Sequence, residues 1–111
     1  MKQIKNYING NLLSHSDLYD NIYNPSTGEV IGQVVLSNNK DLDNAIESSL
    51  SNLENWIETS PLRRSRILFK YKTLIEKNID SIAKIVSEEH GKTLDDAKGS
   101  ITRGLEVVEF A

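Results

Sequence analysis

The feature that most constrains the fold of this chain is a helix stop followed at once by a helix start. His90-Gly91 closes one helix, and Thr93 with Asp96 three residues on opens the next. Glycine tolerates the left-handed conformation that ends a helix, while a hydroxyl and a first-turn carboxylate satisfy the orphan amides of a new one. Beyond Thr93, the residues Leu94, Ala97, Ile101, Leu105 and Val108 recur at three- and four-residue spacing and form one apolar stripe. The helix runs to Ala111 with Val107, Val108 and Phe110 just before it and no Gly, Asn, Pro or basic last turn to close it. A chain read this way is expected to be the front of something longer.

The same signals recur upstream. Ser60-Pro61 marks a helix start, because proline has no amide proton to lose at the first position and its φ is already helical. Leu62, Ile67-Leu68, Tyr71 and Leu74-Ile75 mark its inner face to about Lys77, and Asn78 is expected to cap a further helix with Ile79, Ile82-Ala83 and Val86 inward. The joint at Lys77-Asn78 allows either an antiparallel or a bent pair. Before these, Ser37 to Asn39 supplies an N-cap, with Asp41 and Asp43 in the first turn where the helix dipole favours anions. Leu42, Ala45, Ile46, Leu50, Leu53 and Ile57 then line a helix ending near Trp56, itself read as a core plug.

The first third of the chain predicts strands. Ile4 to Ile8 and Leu12-Leu13 flank Asn9-Gly10, a pair suited to a type I′ hairpin turn. His15 to Asp20 is a polar loop. Ile22-Tyr23 begins a strand, Asn24-Pro25-Ser26-Thr27-Gly28 turns, and Glu29 to Leu36 returns. The fold class expected is a β-hairpin and a second β-pair followed by four helices, α+β in isolation.

Composition narrows the function. There is no cysteine, so a disulfide framework, a thiolate metal site and a cysteine nucleophile are excluded within these residues. The net charge is −3, and Arg63-Arg64-Ser65-Arg66 is the one basic cluster. On a helix these arginines spread around the axis with no aromatic residue between them, which argues against nucleic acid and for a solvated face or subunit contact. The opening residues lack the apolar run of a signal peptide, and no stretch reaches the length of a membrane span, so a cytoplasmic, bacterial-type protein is expected.

Few residues are placed for chemistry. Ser14, His15 and Asp17 contain the residue types of a catalytic triad, but neighbours in one loop do not align as a triad does. The turn at 24–28 has one glycine, too few amides for a phosphate cradle. Glu88, Glu89 and His90, with Asp95 and Asp96, lack the one-turn ligand spacing of a helical metal site, and His90 suits the end of its helix instead. Lys92 has no assigned role. Arg103 stands apart from the core stripe, on the side of Gly99, Ser100 and Val107, with Gly104 nearby. The two glycines leave room for close approach to the helix. Either an anion meets Arg103 there, or it pairs with Glu106 in the weaker basic-before-acidic order.

Three motifs carry a family resemblance: Ser87-Glu88-Glu89-His90-Gly91-Lys92-Thr93 followed by the run from Arg103 to Ala111, the NPSTGEV turn at 24–30, and Pro61-Leu62-Arg63-Arg64. Together with Tyr7-Ile8-Asn9-Gly10 they span nearly the whole chain, which resembles the CoA-acylating methylmalonate-semialdehyde dehydrogenases, a branch of the NAD-dependent aldehyde dehydrogenases. NPSTGEV points to the superfamily and RGLEVVEFA to the branch. The resemblance implies that residues 1–111 are the N-terminal part of the NAD-binding domain of an α/β enzyme several times longer, with the hairpin at the domain's periphery. It implies a homo-oligomeric parent that uses NAD, with CoA as co-substrate, in a step of valine catabolism. A cysteine elsewhere in the parent attacks the semialdehyde, hydride goes to the nicotinamide, CO2 is lost, and CoA releases propionyl-CoA or, from malonate semialdehyde, acetyl-CoA.

Arg103 is the residue at the place where that branch receives the substrate's carboxylate, a role suited to a planar fork that leaves a buried charge unpaired against neutral aldehydes. These residues alone are expected to be inactive and, with apolar faces awaiting a sheet, poorly folded, aggregated or oligomeric. Two alternatives remain: another NAD(P)-dependent semialdehyde dehydrogenase, or a non-catalytic helical interaction module.

Overall fold

The computed structural model describes all residues from Met1 to Ala111. In chain order the elements are β1 (Gln3–Ile4), β2 (Asn6–Ile8), β3 (Asn11–Leu13), β4 (Tyr19–Tyr23), β5 (Val30–Val35), α1 (Asn39–Glu58), α2 (Pro61–Lys77), α3 (Ile79–His90) and α4 (Leu94–Phe110). Strands followed by four helices are the expected order. They divide into two units, one of Met1–Tyr23 with Gly28–Glu58 and one of Asn24–Thr27 with Thr59–Ala111.

In the first unit Asn9 (φ 50°) and Gly10 (φ 76°) take the positive values of a type I′ turn, and β2 and β3 pair antiparallel with Ile8 opposite Asn11. The expected first strand is nevertheless broken at Lys5. Its front half, β1, runs parallel to β5, with Ile4 beside Val34, so the chain leaves one ladder to enter another. Gly32, buried in β5, permits the approach: a side-chain carbon there would fall 3.2 Å from the Lys2 carbonyl oxygen. β4 pairs antiparallel with β5 from Tyr19 onward, three residues before the expected start, giving the order β1-β5-β4. Its polar Asp20 and Asn21 are exposed on an edge strand, where hydrophilic side chains stay solvated.

Asp41, 2% exposed, organises the start of α1. One carboxylate oxygen accepts from the His15 N–H at 2.7 Å and the other from the Asn38 N–H at 3.0 Å, while the Asp41 N–H donates back to Asn38 Oδ1 at 3.1 Å. This is a reciprocal capping box. The backbone bonds from Asn38 and then from His15 hold the carboxyl below its ordinary value, against the opposing effect of burial. β2 lies over the first turns of α1, near Leu42 and Ala45. Beyond them the apolar face is open: Leu50 is 63% exposed and Ile57 66%. Trp56 is 43% exposed, so the reading of it as a core plug is corrected: its position on the helical stripe does not bury its ring.

In the second unit Ser60 Oγ accepts the Arg63 N–H and Pro61 takes the first helical position, as its sequence requires. Asn78 behaves differently from the expectation. Its side chain makes no forward cap on α3 and instead donates backward to the Leu74 carbonyl at 2.7 Å. Its φ of −110° and ψ of 14° lie in the bridge region, outside helical values, so the chain breaks its helical path between α2 and α3. Gly91 (φ 84°) closes α3 with its N–H on the Ser87 carbonyl, and Thr93 Oγ1 accepts the Asp96 N–H to open α4. α3 and α4 then pack through Ala83 and Ala97, both fully buried, with Leu105 also inside. Asp80 bonds Lys98 across them and thereby raises the Lys98 pKa, while Lys72 of α2 reaches Glu109 of α4 at 3.4 Å.

Candidate functional site

Arg103 lies on α4 among groups that α4 and the α3–α4 joint place together. Its Nη2 donates to Ser100 Oγ at 3.2 Å, one helical turn back, and the guanidinium passes over Gly99, where a side-chain carbon would stand 3.7 Å from Nη1. Lys92, in the joint, donates from Nζ to the same Ser100 Oγ at 3.0 Å. The hydroxyl donates in turn to the Asp96 carbonyl at 3.2 Å. A serine hydroxyl has one proton and two lone pairs, so these three bonds use its whole capacity. The backbone of Lys92 is fixed as well, because Ser87 Oγ donates to its carbonyl at 2.7 Å.

Two cations therefore converge on one neutral oxygen. The ion pairs of the structure join Lys72 to Glu76 and Glu109 and Lys98 to Asp80; neither Lys92 nor Arg103 takes part. Glu106, the sequence-level candidate for pairing with Arg103, is not its partner. Arg103 is exposed and Lys92 and Ser100 are half-buried, so an anion can reach both charges. Chemically the arrangement offers a planar fork and an ammonium to a carboxylate. The helical pattern puts Ser100 on the Arg103 side of the helix without a role and gives none to Lys92. The three-residue spacing of Ser100 and Arg103 was the available signal for one bond. Lys92 lies before the helix, and helical spacing gives no guide to it.

The other sequence candidates do not assemble into sites. Ser14 Oγ exchanges hydrogen bonds with the Ser16 backbone, and the His15 ring faces Asn44 at 3.5 Å, so no serine–histidine–aspartate relay forms. No three His, Asp or Glu side chains stand together as metal ligands, and no helix is long and apolar enough to cross a membrane. The turn at 24–27 is closed on itself, with the Ser26 N–H on Asn24 Oδ1 and the Thr27 N–H on the Asn24 carbonyl. One first-turn amide in each of α1, α2 and α4 is taken, by the side chains of Asn38, Ser60 and Thr93 respectively.

Comparison with known proteins assigns this architecture. Malonate-semialdehyde dehydrogenase from Pseudomonas aeruginosa is 40% identical over 111 residues, covering 100% of this chain and 22% of the relative. The crystal structure of a protein assigned as methylmalonate-semialdehyde dehydrogenase from Sinorhizobium meliloti 1021, complexed with NAD, superimposes with a TM-score of 0.97 at 44% identity, over 99% of this chain and 23% of that one. Methylmalonate-semialdehyde dehydrogenase from Oceanimonas doudoroffii gives a TM-score of 0.96 at 38% identity, with 99% and 22% covered. The chain thus spans under a quarter of the length of these relatives. Residues 14–111 match the model of the aldehyde dehydrogenase family, and the chain belongs to that family.

Proposed function

We propose that the whole protein oxidises methylmalonate semialdehyde or malonate semialdehyde with NAD and CoA, and that residues 1–111 are the N-terminal part of its NAD-binding domain. From methylmalonate semialdehyde the balanced products are propionyl-CoA, CO2 and NADH; malonate semialdehyde gives acetyl-CoA. The observation that supports this reading most is the similarity to malonate- and methylmalonate-semialdehyde dehydrogenases along the entire chain. This chain holds no cysteine, so the nucleophile of the reaction would be supplied outside these residues.

Within them we assign the substrate carboxylate to Arg103. Its guanidinium lacks a carboxylate partner in the protein and lies beside the space that Gly99 leaves open. A fork of this kind distinguishes a semialdehyde acid from a neutral aldehyde, because the neutral analogue leaves a cation unpaired.

The test begins with the protein as its own cells make it, captured by an antibody to residues 87–111 and weighed intact. A species several times heavier than 12.5 kDa is expected. The captured protein is then given methylmalonate semialdehyde and NAD, with and without CoA, and propionyl-CoA and NADH are measured. Equal yields of the two that require CoA support the proposal. NADH formed with free acid as product would place the protein with another semialdehyde dehydrogenase, and a species at 12.5 kDa would remove the catalytic reading altogether.

A further inference from the structure

We infer that Ser100 is a positioning residue for Arg103 and that Lys92 supplies a second cation to the same substrate carboxylate, an inference that rests on the assignment of Arg103 made above. Three observations carry it. First, the Ser100 hydroxyl is the one acceptor common to both cations, at 3.0 Å from Lys92 Nζ and 3.2 Å from Arg103 Nη2, and its proton is committed to the Asp96 carbonyl. Its lone pairs therefore face the two side chains and fix their direction. Second, the charges repel each other, and the structure provides no carboxylate to either; a neutral hydroxyl holds them together without neutralising them. Third, both ends of the cluster are held by local structure: Ser87 Oγ bonds the Lys92 carbonyl, and Thr93 caps α4 immediately after it.

An arginine whose fork is already oriented loses less side-chain freedom when the anion arrives. Lys92, carried by the joint rather than by α4, approaches Ser100 from beyond the helix start. A carboxylate that meets Arg103 beside Ser100 also comes within reach of the Lys92 ammonium. The occupant is a monocarboxylate with a short carbon chain, the chemistry of a semialdehyde acid.

The experiment uses the full-length protein and reads kcat and KM separately for malonate semialdehyde and for propanal, its neutral analogue of the same carbon count. The quantity compared is the acid-to-neutral ratio of kcat/KM. For Ser100→Ala it is expected to fall about three- to tenfold, the size of one lost hydrogen bond, through KM for the acid; Ser100→Thr, which keeps the hydroxyl, is expected to restore it. Lys92→Met is expected to lower the same ratio about tenfold, again through KM. A merely structural role would reduce both substrates together and would not be rescued by threonine. Thermal unfolding of each variant identifies any that fails to fold, in which case Ser100→Thr against Ser100→Cys gives the comparison of a strong with a weak hydrogen-bonding group at nearly the same size.

Arg103→Ala separates the two levels of the argument. If Arg103→Ala destroys the preference for acid while Ser100→Ala and Lys92→Met leave it intact, the present inference is overturned and the role of Arg103 stands. If Arg103→Ala itself leaves the preference intact, both fall.

Discussion

Pro25 fills the space that a side chain at Gly91 would need: a side-chain carbon there would stand 2.9 Å from Pro25 Cγ. The proline ring of the NPST turn thus lies against the residue that closes α3, whose φ of 84° already favours glycine. Two demands meet at one position, a left-handed backbone and an absent side chain.

Gly91→Ala is accordingly expected to destabilise the protein by roughly 1–2 kcal/mol from the left-handed conformation, plus a steric contribution from the proline ring. Urea unfolding of Gly91→Ala, Pro25→Ala and the double variant measures the coupling. Since Pro25→Ala removes the Cγ atom, the double variant should lose less than the two single losses together. Strict additivity would show that the contact contributes nothing.

The capping box at α1 makes stability depend on pH. Hydrogen bonds hold the Asp41 carboxyl below its ordinary 3.8, so its contribution is complete above that value and is lost as pH falls through the lower, folded-state pKa. Asp41→Asn should therefore be less stable than wild type at neutral pH, with the difference shrinking as the solution is taken below pH 3.8. Chemical denaturation at a series of pH values checks this; a difference independent of pH would contradict it. Asn38→Ala removes the other half of the box and is expected to cost about 1 kcal/mol at neutral pH.

Asn78 gives a test of direction. Its side chain serves the end of α2, at the Leu74 carbonyl, and makes no bond to the start of α3. Asn78→Asp removes the amide donor while keeping a group that favours helix starts, so it should destabilise by roughly 0.5–1.5 kcal/mol. A forward cap would predict no loss, because Asp and Asn serve equally as N-caps.

Local signals in the sequence were read correctly where a single residue's stereochemistry decides the outcome. Asn9-Gly10 takes positive φ, Pro61 begins a helix, Gly91 ends one and Thr93 caps the next. What escaped was set by partners distant in sequence. The parallel pairing of β1 with β5 depends on the gap that Gly32 leaves near Lys2, which no local pattern shows. Tyr19 and Asp20 lack apolar alternation because β4 is an exposed edge, and they therefore read as the end of the His15 to Asp20 loop. Trp56 satisfies the helical pattern of a buried face yet stays 43% exposed, because burial needs a facing surface that a helical pattern does not specify. At the candidate site the setting between two glycines leaves Arg103 open between an anion and Glu106, and the family resemblance is what points to the anion; the shared bond of Lys92 and Arg103 to Ser100 depends on how the joint at Gly91 redirects the chain.

The central claim is that Arg103 receives the carboxylate of a semialdehyde acid. The most direct measurement is kcat/KM of full-length wild type and Arg103→Ala with malonate semialdehyde and with propanal, followed as NADH formation. The account predicts that Arg103→Ala lowers the acid-to-neutral ratio roughly ten- to a hundredfold, as loss of a charge-assisted hydrogen-bonded pair implies. An unchanged ratio in a variant that unfolds at the wild-type temperature would contradict it.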